Sequence, residues 1–402
     1  MNTKLVYFLC ISIALTGFIW LGPYFVWNES IIFRISILIS FFTFLFYLLT
    51  TDFKIKMVDI VILIGFILTL IYFSLPGAEG KIGITLGYIV MIVFLLIPDK
   101  LKQNVFIYFS WFYALSLLPG IVLLLLSFVG FDFNYNIIES GSGRLHREYF
   151  GSVTLLSSII EGSGFTRLQG MFDEPGVVGT FSALFLVGDR FRIKGNFKNI
   201  IILIGGLLSL SFAFMVIIII YIILRLNIKS ILSIGLFIIV LAVIIPTDSI
   251  LIEKYVFDRF SIEDGRLEGD NRLVGNSTRQ ELSSFYSGDT KYLLFGMGNN
   301  ASKENPNIIG DSWQFFFYNY GIFGLIMLWL GIFIYSVLKV RTNKYYCYLF
   351  IFTFLLSFYQ RHDIINLHYM IIFFGGLINL QNLLPNKIQI GLTNNEEQSL
   401  LH

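Results

Sequence analysis

Charge is what this sequence has least of. Of its 402 residues 13% are charged and 56% hydrophobic, and the mean hydropathy is +0.78. An ordinary soluble domain carries about 25% charged residues, so a water-facing globule is excluded and lipid must be the solvent for most of the chain. Cysteine is nearly absent: Cys10 and Cys347 both lie inside apolar runs, which fits buried or lipid-facing thiols and leaves no disulfide framework. A large net charge is also missing. At +2, with no basic tract interleaved with aromatics, the chain has no electrostatic footprint for nucleic acid. No Asp-x-Asp and no Cys/His ligand spacing occurs, so neither a metal nor a cofactor is expected. The acidic run Glu263, Asp264, Glu268, Asp270 departs from the spacing of an EF-hand loop and is interrupted by Arg266. Internal repeats, low-complexity tracts and heptads are lacking too.

What is present is a succession of apolar runs, at 5–27, 31–50, 57–75, 83–97, 104–130, 171–188, 199–224, 231–246, 313–338, 345–360 and 369–383. Most have the length of a spanning helix, roughly 20 residues. The first continues past Trp20 without a small-residue cleavage site, so it reads as a retained span. Lys and Arg sort the short connections: Lys54/Lys56, Lys100/Lys102, Arg190/Arg192/Lys194/Lys198, Arg225/Lys229 and Lys339/Arg341/Lys344 are expected to be cytoplasmic. The stretch 199–224 breaks the alternation if it is one helix. Two short antiparallel segments turning at Ser209-Leu210-Ser211 restore it, provided that the turn is packed against protein or lines a cavity.

The fold expected is therefore all-α and polytopic: one integral-membrane domain over 1–402 with about 12 transmembrane helices and cytoplasmic termini. Two large outer loops, 131–174 and 246–312, hold half of all charged residues, and a cytoplasmic tail covers 384–402. Apart from Asp173 and Glu174 at the mouth of the run 171–188, only Arg34 and Asp59 carry charge within the predicted spans, each close enough to an end to snorkel. The midplane charges on which transporters depend are missing.

The outer loops carry the chemistry. The first contains Arg144-Leu145-His146-Arg147-Glu148 and then Arg167-Leu168-Gln169-Gly170-Met171-Phe172-Asp173-Glu174-Pro175-Gly176. Pro175 suits the first position of a helix, where Asp173 and Glu174 would favour the dipole; helix capping with Arg167 as counter-charge is the plain structural reading. The second loop ends in Gly296-Met297-Gly298 and Asp311-Ser312-Trp313, followed by Tyr320-Gly321-Ile322-Phe323-Gly324. A short outer loop before the last span packs Arg361, His362, Asp363 and His368 together, either as a diphosphate site or as a polar cap. Trp313 and the aromatics after it either stack on sugars or form an interfacial belt.

The pattern Arg-x-x-Gly-x-Phe-x-Glu-Pro-Gly, in an outer loop followed directly by a span, resembles the bacterial O-antigen/exopolysaccharide repeat-unit polymerases (Wzy-like) and the related O-antigen ligases. The resemblance extends to the order of loops, to the Gly-x-Gly and Tyr-Gly-x-x-Gly stretches, and to Arg279 as a second loop arginine. Many ligases and some polymerases have His-Asn where this chain has Asp311-Ser312, which weakens the ligase reading and leaves that loop's acid/base residue open.

The resemblance implies a membrane glycosyltransferase, metal-independent and without cofactor, at the outer face of the bacterial cytoplasmic membrane. It would join undecaprenyl-diphosphate-linked oligosaccharides into a surface polysaccharide, with a flippase and a chain-length regulator as partners; a ligase or a lipid-linked-sugar flippase is the alternative. Such a reaction needs cations for the departing diphosphate and a base for the attacking hydroxyl. Arg167 and Arg279 lead for the first task, since a guanidinium fork matches phosphate oxygens, with Arg144, Arg147 and Arg272 behind them; Arg361 belongs to the short-loop cluster. Glu174, His146 and His362 are candidates for catalytic proton transfer, and Asp311, Trp313 and His368 for substrate binding.

Overall fold

The computed structural model describes residues 3–27, 30–51, 55–74, 87–139, 145–150, 154–158, 166–225, 262–263, 266–267, 276–299, 301–308, 313–359, 361 and 365–383. The span expected at 231–246, most of the second loop before 276 and the tail from 384 lie outside the described residues.

A backbone surrounded by hydrocarbon must satisfy itself, and a continuous apolar run does so as helix. Five such helices come first: α1 (Thr3–Trp20), α2 (Ser30–Thr50), α3 (Met57–Ser74), α4 (Gly87–Leu96) and α5 (Asp99–Phe128). Four strands follow, β1 (Asn136–Glu139), β2 (Leu145–Tyr149), β3 (Thr154–Ser158) and β4 (Thr166–Gly170). Next come α6 (Pro175–Gly188), α7 (Phe197–Leu208) and α8 (Phe212–Arg225). A hairpin of β5 (Ile262–Glu263) and β6 (Arg266–Leu267) precedes three short helices, α9 (Asn276–Ser287), α10 (Thr290–Phe295) and α11 (Ala301–Glu304). The last elements are α12 (Trp313–Lys339), α13 (Lys344–Phe358) and α14 (Leu367–Met370), which passes through a π-helical turn (Ile371–Gly375) into α15 (Gly376–Asn382).

Among the described residues five helices, α1, α2, α3, α5 and α12, are long and apolar enough to cross a membrane, and α4, α6, α7, α8 and α13 are shorter apolar helices. The protein is membrane-embedded. Its outer helices turn Phe42, Leu49, Leu68, Trp329 and Phe333 outward, as lipid contact demands, while Phe106, Phe109, Phe185, Ile371 and Leu377 fill the centre around α5 and α6.

The stretch 199–224 folds as two helices broken at Ser209–Leu210–Ser211, where Leu210 takes φ 46°. The pair is antiparallel: Arg225 Nη1 donates to Arg190 O at 3.0 Å, back at the end from which α7 starts. With 12 and 14 residues, the two helices are about 18 and 21 Å long, short of a hydrocarbon core of roughly 30 Å. Their turn is packed against protein. Ser209 is 0% and Ser211 4% exposed, and a Cβ on Gly179 of α6 would lie 2.1 Å from Ser211 Cβ, so only glycine permits this approach.

One expectation is corrected: β1–β2–β3–β4 of the first loop form a four-stranded antiparallel sheet, so the chain, though mostly helical, is not all-α. Leu156 faces Leu168 and Ser157 faces Arg167 across β3 and β4, so alternation gives the sheet an apolar and a polar side. Leu168 rests on α5 at Gly120, where a Cβ would lie 2.5 Å from Leu168 Cδ1. Asp59, in the first turn of α3, is paired. It accepts from Lys339 Nζ at 2.6 Å, and Lys339 also reaches Asp99 at 3.1 Å, because a charge at a helix end is cheaper to pair than to leave among apolar neighbours.

Candidate functional site

The short helix α6 begins beneath the sheet, and the residues just before it gather partners from three distant parts of the chain. Pro175 occupies the first helical position and Glu174 the cap position in an extended conformation, φ −142° and ψ 143°, yet the Glu174 side chain makes no capping bond. Its Oε2 accepts instead from Arg361 Nη2 at 2.7 Å, across 187 residues. The capping reading of Glu174 is thereby corrected: the carboxylate is committed to an arginine at the far end of α13. Gly176 makes room, since a Cβ there would lie 2.8 Å from that Nη2. The Glu-Pro-Gly triplet thus supplies a carboxylate, a helix start and clearance for a guanidinium.

The preceding acid is paired as well. Asp173 Oδ1 lies 3.2 Å from His146 Nε2. Gln169 Nε2 donates to the carbonyls of Phe172 at 2.7 Å and Asp173 at 2.9 Å, which fixes it as the amide nitrogen, and it stands 2.8 Å from His146 Nδ1. The imidazole is buried and lies 5.4 Å from the Trp27 ring, centroid to centroid. Strand alternation puts His146 of β2 on the same polar side as Arg167 and Gln169 of β4. Gln169 and Trp27 were missed by sequence reasoning. The signal for Gln169 was its alternation with Arg167 in a short β pattern.

The acids remain partly open: the Asp173 side chain is 35% and the Glu174 side chain 26% exposed, against 5% for His146 and 16% for Arg361. The cluster therefore faces outward on its acidic side.

Trp313 lies next to this group. Its backbone N–H donates to Tyr359 O at 3.3 Å, and Arg361 N–H donates to Ser357 O at 3.0 Å, so the start of α12 abuts the segment that presents Arg361. Farther along α12, Gly321 turns to φ 63°, and Gly296 has φ 76°. Met297 N–H donates to Tyr318 O at 2.8 Å and Gly298 N–H to Asn319 O at 2.9 Å. The Gly-x-Gly and Tyr-Gly-x-x-Gly stretches therefore interlock backbone to backbone, with a Cβ on Gly296 falling 2.2 Å from Asn319 O.

Arg279 sits half-buried on α9, the helix that also carries Leu282 and Phe285 of a small core completed by Phe315 and Tyr318. Arg147 stacks on Tyr135 at 4.8 Å. His368 is buried between α6 and α14, its ring 5.4 Å from Phe181. Arg144, Arg272, Asp311 and His362 lie outside the described residues. Both cysteines are free and buried. Among the described residues no three His, Cys, Asp or Glu side chains gather as metal ligands.

Comparison of the chain with protein-family models, with curated proteins and with solved structures finds no match.

Proposed function

We propose that this protein is a membrane glycosyltransferase that polymerises lipid-diphosphate-linked oligosaccharide repeat units at the surface of a bacterial cytoplasmic membrane, with the sheet side outside and the termini cytoplasmic. The observation that carries the reading is the partly exposed Glu174–Arg361 pair at the start of a recessed helix, within the motif that resembles the repeat-unit polymerases. Undecaprenyl-diphosphate-linked glycans would be both donor and acceptor, and a flippase and a chain-length regulator would work with it.

The pair accounts for both chemical demands. With no substrate, Glu174 neutralises Arg361. A diphosphate is the stronger competitor for a guanidinium, since two phosphate groups offer bidentate acceptors of higher charge. When it takes Arg361, the Glu174 carboxylate is released to accept the proton of the attacking hydroxyl. The acceptor oxygen bonds to the anomeric carbon as the bond to the diphosphate oxygen breaks, and the departing electron pair is met by Arg361. A fixed cation aimed at developing charge is worth about 10²–10³ in rate. His146 is buried, with Gln169 and Asp173 beside its ring, and orients the loop in this reading, while the more open Glu174 is the base.

The test is surface polysaccharide from cells in which Arg361→Ala replaces the wild-type chain at equal protein level, resolved by size. Single repeat units at the surface without long chains support polymerase chemistry. Normal chains remove Arg361 from the reaction, and repeat units held on the cytoplasmic side point to a flippase.

A further inference from the structure

Gln169 is the extra residue of a β-bulge. Leu156 pairs with Leu168 and Leu155 with Gly170 across β3 and β4, so no residue of β3 stands opposite Gln169. A bulge re-aims one side chain out of the pleat, and bulges recur beside active sites. Here that side chain is 0% exposed, and its Nε2 donates to Phe172 O at 2.7 Å and to Asp173 O at 2.9 Å. Its own Oε1 is buried with no hydrogen-bond partner among the described residues. An unpaired buried carbonyl costs free energy, so the amide earns its place by what its nitrogen donates.

The two carbonyls that Gln169 holds are the last before Glu174. The chain leaves β4 through Gly170 at φ 65°, and Tyr24 N–H holds the Met171 carbonyl at 2.6 Å. Three successive carbonyls, at 171, 172 and 173, are thus fixed, the last two by one side chain. The Asp173 carbonyl lies in the peptide plane that joins Asp173 to Glu174. Its hydrogen bond therefore sets the direction in which the extended Glu174 projects its carboxylate, toward Arg361 Nη2 at 2.7 Å. A proton acceptor works only in a fixed position: misplacement by about 1 Å costs about 10²-fold in rate.

We propose that Gln169 is the positioning residue of the Glu174 carboxylate, acting through the 173–174 peptide, and that the position requires a hydrogen-bond donor. The effect on rate rests on the proposed reading of Glu174 as the base; the geometric effect does not. Glutamate at this position has the same size but, when ionised, only oxygens to turn toward the two carbonyls. Protonated, it donates one hydrogen bond. Burial among carbonyls favours the protonated form, so acid restores a donor.

The test measures size-resolved surface polysaccharide from cells carrying Gln169→Glu or Gln169→Leu at equal protein level, held at about pH 7.5 and at about pH 5.5. The proposal expects chain formation about 10²-fold below wild type in both variants at the higher pH. At the lower pH Gln169→Glu should recover, while Gln169→Leu, which has no donor at any pH, stays low. Wild type, which needs an ionised carboxylate, should gain nothing from acid. Thermal midpoints of the purified full-length variants establish that each is folded. Normal chains from either variant at the higher pH, or a loss in Gln169→Glu that acid leaves unchanged, overturns the assignment.

A second measurement does not depend on activity. In full-length protein with Cys10→Ala and Cys347→Ala, the thiols of Glu174→Cys and Arg361→Cys are bridged by a short bis-methanethiosulfonate. Adding Gln169→Leu should slow the bridging about tenfold, equivalent to about 1.4 kcal/mol of barrier. If Glu174→Gln makes normal chains while Gln169→Leu slows bridging, the polymerase reading fails and the positioning role stands. Bridging at an unchanged rate overturns the positioning role whatever the chains show.

Discussion

The two ends of the helical bundle hold polar groups in opposite ways. At the lysine-rich end, Asp189 is closed off: its side chain is 3% exposed, and it accepts from Arg192, Asn196, Lys198, Asn199 and Asn379. Asn379 in turn accepts from Gln103 at 3.0 Å, so the starts of α5 and α7 and the ends of α6 and α15 are tied by one network centred on Asp189. At the sheet end, Asp173 and Glu174 each hold a basic partner but keep 35% and 26% of their side chains open. A saturated buried acid is a strut. A paired acid with exposed surface can exchange its partner for a ligand.

Breaking the strut should give the largest effect. Asp189→Ala leaves Lys198 and Arg192 without their counter-charge, a loss of about 3–5 kcal/mol, read as a fall in thermal midpoint in detergent or nanodiscs. Burial alone would raise the Asp189 pKa; Lys198 and then Arg192 outweigh it and hold the carboxyl below its ordinary value. The contribution is therefore complete above about pH 4 and lost only as pH falls further, so wild type and Asp189→Ala should converge in stability in strong acid.

Glu174→Gln should do the reverse: little change in midpoint, and chain formation reduced about 10²-fold through loss of the base. Gly176→Ala sharpens the contrast further, because its methyl crowds Arg361 Nη2; a misplaced guanidinium should lower chain formation by about tenfold, or 1.4 kcal/mol, at unchanged midpoint. Smallest is Arg147→Ala. Its stacking on Tyr135 is worth about 0.5–1 kcal/mol, so a midpoint shift of a degree or two with normal chains is expected.

The apolar helices were legible because hydrocarbon leaves a backbone few options, and the break at Ser209–Leu210–Ser211 was legible from its paired hydroxyls in an otherwise apolar run. The sheet was not. Its strands are four or five residues long, too brief for alternation to stand out beside long apolar spans, and register depends on packing against α5. The motif acid Glu174 and the terminal cluster arginine Arg361 were both visible as residues, but their pairing was not, since no local pattern links positions 187 residues apart. The partner of Asp59 was hidden for the same reason, since Lys339 comes from another helix.

Measuring thermal midpoint and chain formation on the same preparations of wild type, Glu174→Ala, Arg361→Ala and the double variant tests the central claim most directly. The account predicts midpoints close to wild type in all three variants and chain formation lost in each. Midpoints that collapse as in Asp189→Ala, and recover when both partners are removed, would make Glu174–Arg361 a second strut and contradict it.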